Sequence, residues 1–66
     1  MKKIYLLRWY DSFDYYYGNG FHKLDEAANK TKEYDTEKDA LKDLKELTKI
    51  YYNWPIIIET AYRKIN

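Results

Sequence analysis

Cysteine is absent from the 66 residues, which excludes disulfides and thiolate metal sites and leaves the fold to apolar and aromatic packing. Valine and glutamine are also missing, proline occurs once and glycine twice. No run approaches the ~20 apolar residues of a membrane span. The four apolar residues between Lys3 and Arg8 fall short of the ~7 to 15 of a signal-peptide core. The expected compartment is therefore cytoplasm, no membrane partner is expected, and the sequon Asn29-Lys30-Thr31 is read as chance. Charge of one sign is lacking too: 12 Lys plus Arg against 11 Asp plus Glu leave a net of +1. That argues against a protein that coats a polyanion and against an acidic mimic of one. A chain this short removes only about 60% of its unfolded surface from water on folding. One small domain over residues 1–66 is expected, with no cleft between domains.

What the chain has in excess is aromatic: nine Tyr, two Trp and two Phe, 20% of the residues. Part of this has a genomic explanation. Residues with AT-rich codons number 32, and those with GC-rich codons number 9. An AT-rich gene accounts for Lys over Arg and for some of the Tyr and Ile.

Lys2 to Tyr10 reads as a strand with Tyr5, Leu7 and Trp9 on one face and Ile4, Leu6 and Tyr10 on the other, as in a central strand covered on both sides. Turn chemistry follows at Asp11-Ser12-Phe13-Asp14. Tyr15 to Tyr17 and Phe21 to Leu24 form a hairpin around Gly18-Asn19-Gly20. Asp25 to Tyr34 is a loop or single helical turn with a short edge strand at Thr31 to Tyr34. Thr36 is a helix N-cap with Asp39 in the capping-box position, and Glu37 and Asp39 favour the positive end of the helix dipole. Ala40, Leu44, Leu47 and Tyr51 make one stripe, flanked by Leu41, Thr48 and Tyr52, so Thr36 to about Tyr52 is an amphipathic helix. Asn53 and Pro55 end it, and Pro55 to Ile65 is a final strand. The fold class is α+β: a three- to four-stranded antiparallel sheet with one amphipathic helix on one face, in ββ(β)αβ order. The face away from the helix is left to solvent, to a homodimer or to binding, and is expected to carry aromatic residues.

The inventory for catalysis is thin. Ser12 and His22 are each the sole residue of their type. An arrangement of Ser12 and His22 with Asp14 or Asp25 lies within one hairpin and lacks a strand-turn-helix elbow. Asp11 and Asp14 are read as turn caps. One His with carboxylates does not make a zinc site, Asp11-x-x-Asp14 is not a calcium loop, and Gly18-Asn19-Gly20 does not continue into a phosphate-binding helix. Neither enzyme activity, nor a metal, nor a cofactor is expected.

Two binding readings remain. A protein partner would be recognised by Tyr10, Phe13, Tyr15, Tyr16, Tyr17, Asn19 and Phe21, six aromatic rings and a glycine-flanked tip within twelve residues, because such rings offer large apolar area at small entropic cost. A single-stranded nucleic acid would instead use Lys3, Arg8, Trp9, Arg63 and Lys64, cations of the terminal strands beside a ring that can stack on a base. The lysines at 38, 42, 45 and 49 line the helix opposite its apolar stripe, but Asp39, Asp43 and Glu46 run alongside and neutralise that face.

The run from Ile4 to Phe21, with Tyr15-Tyr16-Tyr17-Gly18 before Gly20-Phe21, followed by Ala27, Tyr34, Thr36 and Ala40 leading into the helix, resembles small ββ(β)αβ proteins encoded by phages and prophages. Some of these are similar to inhibitors of bacterial defence such as anti-CRISPR proteins, which bind a host enzyme. The resemblance implies a non-enzymatic inhibitor acting on a bacterial protein by occlusion. It transfers no functional residue.

Overall fold

The computed structural model describes residues 1–23 and 31–64. Strand β1, Lys2–Trp9, is the axis of the sheet. Its apolar side chains on both faces suit a strand covered on both sides, Leu7 lying in one buried cluster and Ile4 and Leu6 in another. On one edge it pairs antiparallel with the final strand β4, Ile56–Arg63, from Lys2 opposite Arg63 to Trp9 opposite Ile56. On the other it meets β2, Asp14–Tyr16, with Arg8 opposite Tyr15, and β3, Phe21–Lys23, pairs with β2. The sheet is four-stranded and antiparallel, in the order β3-β2-β1-β4, and with its single helix it makes the expected small α+β fold.

Two expectations about the edges are corrected. The strand at Thr31 to Tyr34 contracts to one bridge, in which Tyr34 and Tyr5 exchange N–H···O bonds of 2.9 Å, while the Lys32 N–H donates to the Tyr16 carbonyl at 2.9 Å. The physical reason is the short β2. The chain turns at Gly18, whose φ of +111° favours glycine, and β1 from Tyr5 backward needs another partner for its amides. The helix α1 spans Glu37–Ile50 and stops short of Tyr52. Tyr51 leaves helical geometry, although its N–H still reaches the Leu47 carbonyl at 2.8 Å. The expectations for Leu24 to Lys30 and for Ile65 lie outside the described residues.

At its N-terminus the Thr36 Oγ1 accepts the Asp39 N–H at 3.1 Å, with Glu37 and Asp39 in the first turn. Thr36→Ala is expected to remove about 1 kcal/mol of stability, read as a lower urea midpoint with an unchanged slope. An unshifted midpoint would deny the cap its role.

The helix stripe packs Ala40 and Leu47 into a cluster with Leu7 and Tyr34, closed by Tyr5, Tyr16, Phe21, Leu44, Tyr51, Ile56 and Ile58. Leu7, fully buried, is its centre. A second cluster of Ile4, Leu6 and Tyr15 with Ala61 lies on the other face. That face is therefore not the exposed aromatic surface expected from the sequence. Most rings turn toward the helix, where the largest apolar area can be buried, and the opposite face is largely aliphatic around Tyr15.

Candidate protein-binding surface

Of the described exposed aromatic residues, Tyr10 and Phe13 lie on the turn where β1 leaves, and Tyr52 and Trp54 on the connection where β4 enters. Tyr62 is exposed near the other end of the sheet, opposite Lys3. The β1–β2 turn is built on Arg8. Its Nη1 donates to the carbonyls of Trp9, Tyr10 and Ser12 at 3.1, 3.1 and 2.8 Å, and its Nε donates to Glu59 Oε1 at 2.9 Å. One guanidinium thus ties three turn carbonyls to the neighbouring strand in a planar fork that no other side chain supplies. The Ser12 N–H closes the turn on the Trp9 carbonyl at 3.3 Å, and the Ser12 Oγ accepts the Asp14 N–H at 3.3 Å. The serine hydroxyl also donates to Asp14 Oδ2 at 3.2 Å, so it serves the turn. The turn holds Tyr10 at 65% exposure and Phe13 at 75%.

The connection from α1 to β4 lies beside it. The Tyr10 N–H donates to the Pro55 carbonyl at 2.9 Å, and the Trp54 N–H donates to the Tyr51 carbonyl at 2.9 Å. The Trp54 ring stacks on Trp9 at 5.0 Å and 16°, and Trp9 stacks on Phe21 at 4.8 Å and 20°. Tyr51 meets Trp9 and Phe21 edge-on at 6.3 and 5.4 Å, and Tyr16 lies 5.4 Å from Phe21. Five rings from separate parts of the chain are thus locked together, in the offset and edge geometries that aromatic quadrupoles favour. Trp54 ends the stack half-exposed, and Ile50 at the end of α1 and Tyr52 on the connection are exposed as well. The Trp9 Nε1–H is shielded from water and has no acceptor among the described residues.

The residues expected to bind a protein are therefore divided. Tyr10 and Phe13 stand out from this end. Tyr15 is buried on the opposite face and donates to Glu59 Oε2 at 2.6 Å. Tyr16 and Phe21 pack against the helix-side core, and the Tyr16 hydroxyl donates to the Gly18 carbonyl at 2.8 Å. Tyr17 is half-buried, with its ring 4.3 Å from His22 and its hydroxyl donating to the Lys23 carbonyl at 3.1 Å. Asn19 is exposed at the hairpin tip, away from Tyr10 and Phe13, because β2 runs back along β1.

The residues assigned to a nucleic acid are mostly engaged. Arg8 holds the turn, Trp9 is the middle ring of the stack, and Arg63 pairs with Glu33. Lys3 sits over the Tyr5 ring at 5.6 Å, and Lys64 is exposed. On the helix, Asp43 turns toward the sheet and takes Lys32 Nζ at 2.7 Å and the Tyr34 hydroxyl at 2.6 Å. Among the described residues no cluster of three or more His, Cys, Asp or Glu is placed to hold a metal, and no helix is long and apolar enough to cross a membrane.

Sequence reasoning missed Trp54 as part of the surface, and it missed the pairing of Arg8 with Glu59. A signal for the second was present: each is the only charge on an otherwise apolar strand segment, Ile4 to Tyr10 and Ile56 to Tyr62.

Burial, followed by the bond to Glu59, pushes the Tyr15 hydroxyl up to about 12. Burial and Asp43 raise Tyr34 as well. The Asp43 carboxyl is lowered by the bond from Lys32 and then by that from Tyr34. A group with a raised folded-state value stabilises fully below its unfolded value and loses that contribution as pH climbs through the folded one. Stability should thus hold to about pH 9 and fall from about pH 10 toward 12. Urea unfolding across that range checks it, and Tyr15→Phe should flatten part of the fall. A curve that is level to pH 12 in the parent protein would contradict it. Asp43 acts in the opposite direction, contributing above about pH 4 and losing that contribution on acidification.

Comparison with family models, with curated proteins and with solved structures finds no match for this chain.

Proposed function

We propose that this chain is a non-enzymatic binding protein that occludes a bacterial protein, in the manner of phage-encoded inhibitors, and docks through the end formed by Tyr10, Phe13, Tyr52 and Trp54. The observation that carries this reading is the exposure of these rings on a fixed platform. Exposed aromatic side chains in contiguous groups mark interaction sites. Rings whose backbone is already ordered in the free protein lose less entropy on binding. Arg8 and the Trp9–Trp54 stack supply that order. The AT-rich composition and the small disulfide-free fold agree with a phage-type inhibitor.

The test is retention of a protein from a low-GC bacterial lysate by the immobilised chain. The parent protein should retain one protein stoichiometrically, and Tyr10→Ser with Phe13→Ser should lose it while keeping the parent urea midpoint. Undiminished retention by that folded double variant would remove this surface from the account. Quenching of tryptophan fluorescence by an oligonucleotide, relieved by salt, would favour the nucleic-acid reading instead.

A further inference from the structure

The hairpin tip Gly18-Asn19-Gly20 stands apart from the proposed docking end. Asn19 is exposed and precedes Gly20, whereas Asn29 precedes Lys30 and Asn53 precedes Trp54. An asparagine amide carbon and the backbone nitrogen of the following residue are near enough along the chain to close a succinimide ring. A bulky successor obstructs that closure, and a glycine permits it.

The fold leaves the reacting atoms free. The Tyr17 N–H donates to the Gly20 carbonyl at 2.9 Å, but the Gly20 N–H meets no backbone acceptor among the described residues. The bond that ordinarily closes a tight turn, from its last N–H back to its first carbonyl, is therefore not made. Gly20 has a φ of +151°. Apart from its chain neighbours, the described atom nearest to where a Cβ would stand is His22 Nε2, at 3.6 Å. No described backbone thus fences the Gly20 nitrogen, and the Asn19 side chain sits on a loop tip, where opening of the chain is easiest.

We propose that Asn19 is a site of spontaneous deamidation in the folded chain, with solvent water as the co-reactant. The Gly20 nitrogen gives its proton to solvent base and attacks Asn19 Cγ. The new N–Cγ bond closes the imide ring as the Cγ–Nδ2 bond breaks, and ammonia leaves with a proton from water. Water then opens the ring. Addition at Cγ breaks the new bond and leaves aspartate. Addition at the Asn19 backbone carbonyl breaks the original peptide bond and leaves isoaspartate, with the main chain running through the former side chain. The net change is one water taken up and one ammonia released. Either product adds a carboxylate, which cancels the net charge of +1. Isoaspartate also lengthens the turn by one methylene. That turn sets the register of Tyr16 opposite Phe21, and both rings pack on the helix-side core, with Phe21 stacked on Trp9. The isoaspartate form therefore loosens the core, while the aspartate form keeps it.

Incubation of the whole chain in mildly alkaline buffer, followed by intact mass and by hydroxylamine cleavage, tests this. Hydroxylamine attacks the imide and cuts the chain between Asn19 and Gly20. The folded chain should lose the Asn19 amide at a rate within about threefold of the same chain in urea, as for a tip that opens easily, while Asn53 keeps its amide. Asn19→Gln fits the tip, since Asn19 has no positive φ, and must close a larger ring, so its mass should stay constant. The isoaspartate fraction, separated by chromatography, should unfold at a lower urea midpoint than the parent, and Asn19→Asp at the parent midpoint. A folded chain that holds the Asn19 amide while the urea-unfolded chain loses it would overturn the proposal. So would an Asn19→Gln chain that deamidates as fast as the parent. An isoaspartate fraction with the parent midpoint would overturn the link from the tip to the core.

Discussion

Leu7→Ala is expected to leave most molecules unfolded at room temperature. Leu7 is the fully buried side chain at the centre of β1, packed with Tyr34, Ala40 and Leu47. Truncating a buried leucine costs about 2 to 5 kcal/mol, the larger values arising where the surroundings cannot collapse into the void. Here they cannot, because β1 is held by β4 on one edge and by β2 and Tyr34 on the other. A domain of this size, without disulfide or metal, has only about 3 to 5 kcal/mol in total. Far-ultraviolet circular dichroism should show loss of the α1 signal, and urea titration should lack a folded baseline. A Leu7→Ala protein with a cooperative transition near that of the parent would mean that the stability lies elsewhere.

Trp9→Ala is the second large effect, expected at about 3 to 5 kcal/mol, and it separates the two uses of aromatic residues in this chain. The substitution removes a ring stacked at 4.8 Å on Phe21 and at 5.0 Å on Trp54, each such pair worth about 0.5 to 1.5 kcal/mol beyond its buried area. Trp54→Ala removes only the half-exposed end of the stack, and about 1 kcal/mol is expected, from the single pair lost. Trp9→Phe keeps a ring in the stack and deletes the shielded indole N–H, whose missing partner is itself a cost; it should recover most of the stability lost in Trp9→Ala. Urea midpoints of the three variants check this order. Equal losses at Trp9 and Trp54 would contradict it.

How much of this was legible in the sequence depends on how far apart the cooperating residues lie. The helix was legible because its determinants are local: the Thr36 cap bonds an amide three residues on, and Ala40, Leu44, Leu47 and Tyr51 recur with the helical period. The two-faced pattern of β1 was legible for the same reason. The tertiary pairings were not. Trp9 meets Trp54, Arg8 meets Glu59 and Tyr34 meets Asp43 only once the register of β4 on β1 and the position of α1 are set. That register is fixed by packing across the sheet, which a local period does not encode. The candidate site suffered most from this. The aromatic run from Tyr10 to Phe21 looks like one surface in the sequence, but strand alternation and the β1–β2 turn send Tyr15 to one face, Tyr16 and Phe21 to the other, and Tyr10 and Phe13 out of the end. Trp54, the half-exposed ring stacked on Trp9 at the same end of the sheet, comes from the far side of the helix.

The most direct test of the proposed docking surface is the accessibility of Trp54 in a complex with the proposed bacterial partner. In the free chain Trp54 is half-exposed and Trp9 is covered by rings on both faces, so acrylamide quenching of a Trp9→Phe chain reports Trp54 alone. Saturation with the partner should abolish most of that quenching, followed as the change in the chain's own signal. Trp54 fluorescence that remains as quenchable in the saturated complex as in the free protein would contradict docking through this end.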